Sequence, residues 1–117
     1  MQSHALPSVR RLRRRAEFQR VFNTGRRAHG RYFTIIAAPD GASRTRLGIV
    51  ASRKLGGAVV RNRAKRLIRE VFRVIDEPDC PLDLVVIPKP NLFDAPLSGL
   101  LLDFTVVLKR CQSASNR

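Results

Sequence analysis

Carboxylates, imidazoles and thiols are scarce in this 117-residue chain: nine Asp and Glu, two His and two Cys. His4 sits near the N-terminus and His29 in a Gly-flanked loop, so neither belongs to a Ser-His-Asp or Cys-His arrangement. No convergent carboxylate pair stands out, and no side chain is expected to carry bond-breaking chemistry. Cys80 and Cys111 have no Cys or His at metal-ligand spacing, and no metal is expected on the protein. A disulfide between them has no support, since the first residues lack the apolar segment of a signal peptide. Both read as reduced thiols in a cytoplasmic protein. Long apolar runs are also missing. The most apolar stretch, Leu97 to Leu108, is short and interrupted by Asp103, so it reads as a buried helix and no membrane is expected. Asp76, Glu77, Asp79 and Asp83 flank Pro78, Cys80 and Pro81. Four nearby carboxylates raise the idea of a nuclease metal site, but the prolines make this an exposed helix-to-strand loop that keeps acidity away from the basic surface.

Positive charge is abundant. Twenty-three Lys and Arg give a net charge of +14 and a pI near 11.7, which points to RNA, DNA or an anionic membrane surface. Arginine outweighs lysine, favouring bidentate phosphate contacts and stacking on bases. The charge is densest in Arg61-Asn62-Arg63-Ala64-Lys65-Arg66-Leu67-Ile68-Arg69-Glu70. On a helix at 100° per residue, Arg61, Asn62, Lys65, Arg66, Arg69 and Arg73 fall within roughly 140° of arc. Val60, Ala64, Leu67, Ile68, Val71, Val74 and Ile75 fall opposite, with Arg63 and Glu70 on one border and Phe72 on the other. A solvated face normally mixes signs to gain i,i+4 pairs. This one offers only Glu70 at its margin, so its self-repulsion calls for a polyanion such as a phosphate backbone.

The length suits one domain over residues 1–117, with a basic flexible tail at 1–11 and a C-terminal tail at 112–117. A first helix is expected over Arg14 to Thr24, with an apolar stripe of Phe18, Val21 and Phe22 and Gly25 as a left-handed stop. No good N-cap precedes it, so its first turn should fray. Arg31 to Ala38 alternates as a strand, with Arg46 to Ser52 as its antiparallel partner. Phe33, Ile35, Leu47 and Ile49 form the oilier faces and should pack on the basic helix, which runs from about Ala58 to Ile75. Gly56-Gly57 lacks the rest of a nucleotide-binding pattern and reads as a connector. Asp83 to Ile87 is near-continuously apolar, as for a strand buried on both faces, and should run parallel to Arg46–Ser52 across the basic helix. A last helix from about Leu97 to Arg110 closes the core with Leu100, Leu101, Phe104, Val107 and Leu108. The first helix, laid partly over the other sheet face, would frame a groove lined by Phe18, Phe22, Tyr32, Thr34, Ile36, Val50 and Ser52 and rimmed by Lys54 and Lys89. Aromatic faces with cationic edges suit a single-stranded nucleic acid; Phe18 and Phe22 as plain core residues is the competing reading.

The run Arg61 to Glu70 resembles the signature of the protein subunit of bacterial ribonuclease P. Arg46-Leu47-Gly48-Ile49-Val50-Ala51-Ser52-Arg53-Lys54 resembles the strand that precedes the signature, and Glu17-Phe18-Gln19-Arg20-Val21-Phe22 the family's first helix. The match runs from about Leu12 to Lys89 in order and spacing. The resemblance implies an α+β fold like that of ribosomal protein S5 domain 2, in the order α-β-β-α-β-α with a possible extra short edge strand. It also implies a sheet of three to four strands with a left-handed β-α-β crossover. It implies that Arg61, Asn62, Arg63, Lys65, Arg66, Arg69 and Arg73 face the catalytic RNA. The groove would take the single-stranded 5′ leader of precursor tRNA. Ile36 stands where the family often has an aromatic residue. Leader hydrolysis, leaving a 5′-phosphate on the tRNA, would be the work of the RNA subunit and its Mg²⁺, with a protein that is monomeric outside the ribonucleoprotein. Two other readings use the same residues: a structural ribosomal or RNA-chaperone protein, or a DNA-binding regulator, the latter lacking any helix-turn-helix pair or zipper.

Overall fold

A computed structural model describes residues 10–39, 44–78 and 80–115. The element order is α1 (Arg15–Thr24), β1 (Arg26–His29), β2 (Phe33–Pro39), β3 (Arg46–Ile49), α2 (Ala58–Val74), β4 (Leu82–Pro88) and α3 (Leu97–Ser115), with 3-10 turns at Arg53–Leu55 and Pro90–Asp94. This is the mixed α+β arrangement expected, and the short edge strand is present as β1.

The sheet order is β1-β2-β4-β3. β3 and β4 are parallel, with α2 as their crossover, as the apolar run at Asp83–Ile87 implied. The expected antiparallel pairing of β2 with β3 does not occur. β4 lies between them, antiparallel to β2 with Phe33 opposite Pro88 and Pro39 opposite Leu82. The reason is burial: β4 is apolar on both faces and takes the centre, leaving β3 an edge. Arg11 bridges to Leu47 along that edge, and the Leu12 amide donates to the Leu47 carbonyl at 2.9 Å. Arg10 and Arg11 are therefore docked rather than part of a loose tail; residues 1–9 of that tail lie outside the described residues.

Two apolar clusters sandwich the sheet. On one face Phe33, Ile35, Leu47, Leu84 and Val86 pack against Ala64, Ile68, Val71 and Phe72 of α2 and Leu100, Phe104 and Val107 of α3. Phe104 meets Phe33 edge-on, centroids 5.5 Å apart. On the other face α1 presses Val21 onto Ile36, Ala38 and Val85, with Leu12 beside them and Phe18, Phe22, Val50 and Ile87 half-buried around them. The buried stripe of α2 is rotated from the expected one. Phe72 is 4% exposed and Val74 61% exposed, because α2 must meet α3 as well as β3 and so turns toward Phe72.

The first turn of α1 is held without a Ser or Asp cap. The Glu17 carboxylate accepts from the Arg13 and Arg14 amides, both at 3.0 Å, which meets donors that would otherwise leave the turn frayed. Gly25 is extended (φ −79°) rather than left-handed, since the chain passes directly into β1. α3 continues to Ser115, beyond the expected end at Arg110, so Gln112 to Ser115 are helical. The acidic loop is also revised: Asp83 is fully buried. Arg46 donates to its two oxygens at 2.8 and 2.7 Å, and Arg20 donates to one of them. Asp79 lies outside the described residues.

Candidate nucleic-acid interface

The sequence-predicted cations of α2 divide by depth. Asn62, Arg63, Arg66 and Arg73 are exposed, while Arg61, Lys65 and Arg69 are half-buried, Lys65 and Arg69 beside the N-terminal segment. Arg63 lies over the Phe93 ring at 5.0 Å. Among the described residues, ion pairs hold three acids away from α2: Glu17 on Arg46, Asp83 on Arg46 and Arg20, Glu77 on Arg10 and Arg44. Among the described residues, Arg61, Lys65, Arg66 and Arg69 have no carboxylate partner.

A cavity of about 320 Å³ opens where α2, β3 and the docked N-terminal segment meet. Leu47, Gly48 and Ile49 form its floor, Phe18 one wall, and Arg11, Arg13, Lys65 and Arg69 its cationic surround. Gly48 is required here, because an added Cβ would lie 2.6 Å from the Phe18 ring. Burial, and then the nearby Arg11 charge, lower the pKa of Arg69 below its ordinary value. The Arg11 Nε is buried without a hydrogen-bond partner. An unpartnered buried donor among like charges is a costly arrangement that an anion would relieve.

The groove expected on the α1 side is only partly open. Ile36 is 1% exposed beneath α1 and offers no stacking platform. Its side chain packs closely on the end of α1, where a Cβ on Gly25 would stand 2.7 Å from it. Tyr32 leaves the strand before β2 begins. It packs against the α2- and α3-side core with the Arg31 guanidinium 5.6 Å over its ring, so it does not join the groove residues. The Lys89 ammonium donates to the Gly30 carbonyl instead of standing free at a rim. Phe18, Phe22 and Val50 remain together, half-buried on the correct face, and Ser52 and Lys54 are exposed beyond β3. Thr34 is 7% exposed and shares its hydroxyl with the His29 ring at 2.9 Å.

Sequence reasoning missed Ile87, which lies beside Thr34 in register, and the β1 residues Arg27 and His29, opposite Ile36 and Thr34. β1 was hard to see because Arg-Arg-Ala-His has no apolar alternation. Its signal was only that a strand must cover the β2 edge.

Among the described residues no group of three or more His, Cys, Asp and Glu could hold a metal ion, and no helix is long and apolar enough to cross a membrane. Cys111 is buried against the Ile35 carbonyl, and burial pushes its thiol up to about 11, so it stays protonated.

Fold and site together define a small α/β RNA-binding protein with an arginine-rich helix face and an aromatic-bearing sheet face. A model of the Ribonuclease P family matches residues 6–112. The ribonuclease P protein component of Desulfovibrio desulfuricans is 40% identical over 100 residues, 83% of this chain and 77% of that protein. That of Syntrophus aciditrophicus is 32% identical over 94% of this chain and 93% of its own. Among solved structures, the RNase P protein of Thermotoga maritima superposes with a TM-score of 0.73 at 34% identity, covering 86% of this chain and 96% of that one. The Staphylococcus aureus RNase P protein gives 0.74, also at 34%, over 86% and 93%. The chain belongs to the ribonuclease P protein family. It is a subunit of the ribonucleoprotein that processes precursor tRNA, with the RNA carrying the chemistry.

Proposed function

We propose that two surfaces of this chain divide the work of holding RNA. The face of α2 bearing Arg61, Asn62, Arg63, Lys65, Arg66, Arg69 and Arg73 binds the ribonuclease P RNA. The α1-side face, with Phe18, Phe22, Thr34, Val50, Ser52 and Lys54, binds the single-stranded 5′ leader. The observation that carries this is the distribution of acids. Glu17, Glu77 and Asp83 are engaged by arginines outside α2, so Arg61, Lys65, Arg66 and Arg69 of α2 are left for phosphates. The cavity walled by Phe18, Lys65 and Arg69 joins the two surfaces, and a phosphate seated there satisfies Arg11 Nε. Carboxylates already neutralised by arginine make poor Mg²⁺ ligands, so the Mg²⁺ of the reaction belongs to the RNA. The protein's part is to neutralise RNA–RNA repulsion and to position the leader. In this reading the chain works in the cytoplasm, as a monomeric protein within the ribonucleoprotein, with neither DNA nor a membrane as partner.

Reconstitution with the cognate ribonuclease P RNA tests it. Phe18→Ala or Phe22→Ala should weaken precursor binding by roughly five- to a hundredfold, the range of one lost base–aromatic stack, and leave mature tRNA nearly unchanged. Equal weakening of both overturns the leader assignment. Circular dichroism checks that each variant is folded.

A further inference from the structure

The β1 edge carries a feature that the aromatic groove does not explain. β1 pairs antiparallel with β2, Arg27 opposite Ile36 and His29 opposite Thr34. Ile36 and Thr34 alternate with Phe33 and Ile35, and Ile36 packs under α1. Arg27 and His29 therefore rise on the α1 side of the sheet. Both are exposed. Arg27 has no hydrogen-bond or ion-pair partner among the described residues. The His29 Nδ1 lies 2.9 Å from the Thr34 hydroxyl, which fixes the ring and leaves Nε2 unpartnered.

The backbone beneath this edge is held unusually well for a hairpin turn. The Asp103 carboxylate accepts from the Arg31 and Tyr32 amides at 2.9 and 2.8 Å. Arg110 donates to the His29 carbonyl at 3.0 Å, Asn91 to that of Arg31 at 3.2 Å, and Lys89 to that of Gly30. Gly30 itself admits no side chain, since a Cβ would meet Val107 at 2.2 Å. Side chains from outside the hairpin thus lock a turn whose flanking Arg27 and His29 side chains reach outward. Such anchoring presents these two in a fixed position rather than stabilising a core.

Resting on the leader reading above, we propose that Arg27 and His29 form the far wall of the leader groove, opposite Lys54. Arg27 would take a leader phosphate and His29 Nε2 would hydrogen-bond a base or sugar. The row His29–Thr34–Ile87–Val50, with His29 exposed, Thr34 buried and Ile87 and Val50 half-buried, crosses the α1-side face of the sheet from edge to edge, about 14 Å at the usual strand spacing. Apolar and small side chains fill its middle, and cations stand at both ends. A strand entering past Lys54 and Val50 meets Arg27 and His29 only after crossing the sheet, so the contact belongs to leader nucleotides distant from the cleavage site.

Leader length makes this testable. In the reconstituted holoenzyme, Arg27→Ala and His29→Ala should each weaken binding of a precursor with a leader of about eight nucleotides by roughly three- to tenfold. A leader of about two nucleotides, too short to cross the row, should bind as in the unaltered protein. His29→Gln, which keeps a hydrogen-bonding head, should restore part of the affinity. Loss independent of leader length, or no loss at all, overturns the β1 assignment. Phe18→Ala in the same series separates the outcomes. If it discriminates precursor from mature tRNA while the β1 variants do nothing, the groove stands and only its far wall is wrong.

Discussion

Glu17 shows how one side chain serves two purposes in a chain so short of carboxylates. It accepts from the Arg13 and Arg14 amides at the head of α1, and its other oxygen pairs with Arg46 at 2.8 Å. The amide of Arg14, then that of Arg13, lower its pKa below 4.5; burial pushes the other way and Arg46 adds to the lowering. A carboxylate whose folded pKa is depressed stabilises the fold above its unfolded value and loses that contribution as pH falls through the folded one. Urea unfolding as a function of pH should therefore show stability declining from about pH 4.5 downward, and Glu17→Gln should flatten that decline. An unaltered acid limb in the variant would place the dependence elsewhere. The cap was not legible from sequence, because the N-cap position holds Arg14 and the satisfying group comes from inside the helix at Glu17.

Among the elements, α1 depends most on a buried charge. Asp83 sits on the central strand with its carboxylate under α1, facing Arg20 of α1 and Arg46 of β3. Arg20 lies on the opposite flank of α1 from Phe18 and Phe22, so the Asp83 pair ties down the side of the helix that the two rings do not. Asp83→Asn leaves two arginines without their counter-charge, and the expected cost is about 3–5 kcal/mol. Glu77→Gln, which breaks partly exposed pairs to Arg10 and Arg44, should cost about 1 kcal/mol or less. Chemical denaturation of the two variants side by side checks the contrast; equal losses would mean that the buried cluster contributes no more than a surface pair. The elements themselves were largely readable. α2 begins at Ala58, and the apolar run at Asp83–Ile87 marks a doubly covered strand. Their pairing was less so, because sequence proximity suggests a β2–β3 hairpin and only the burial of β4 on both faces argues for its insertion between them. Asp83 was misread for a related reason. From the sequence it closes an acidic, proline-rich loop; in the fold it is the first residue of the central strand to face α1.

At the scale of the whole molecule, the net charge of +14 is sorted rather than spread. Arginines at 10, 20, 44 and 46 gather Glu17, Glu77 and Asp83 around the β3 edge and the start of β4, while the face of α2 stays cationic. The sequence showed that face clearly, since its arc follows from helical spacing alone. It could not show that Lys65 and Arg69 line a cavity with the docked Arg11–Leu12 segment, because that packing depends on β3 being an edge. Phosphates held by these residues release condensed counterions, so affinity for the ribonuclease P RNA should fall steeply with salt. Replacing Arg61, Lys65 and Arg69 together with Ala should weaken binding and reduce the slope of log affinity against log salt by roughly 0.7–0.9 for each phosphate no longer neutralised. Arg26→Ala, on the opposite sheet edge, is the control: removing one cation there should leave the slope for the catalytic RNA unchanged. If the triple variant kept the slope of the unaltered protein, these three side chains would not be touching phosphate, and the RNA would have to be held through Arg66 and Arg73 on the more exposed side of the helix.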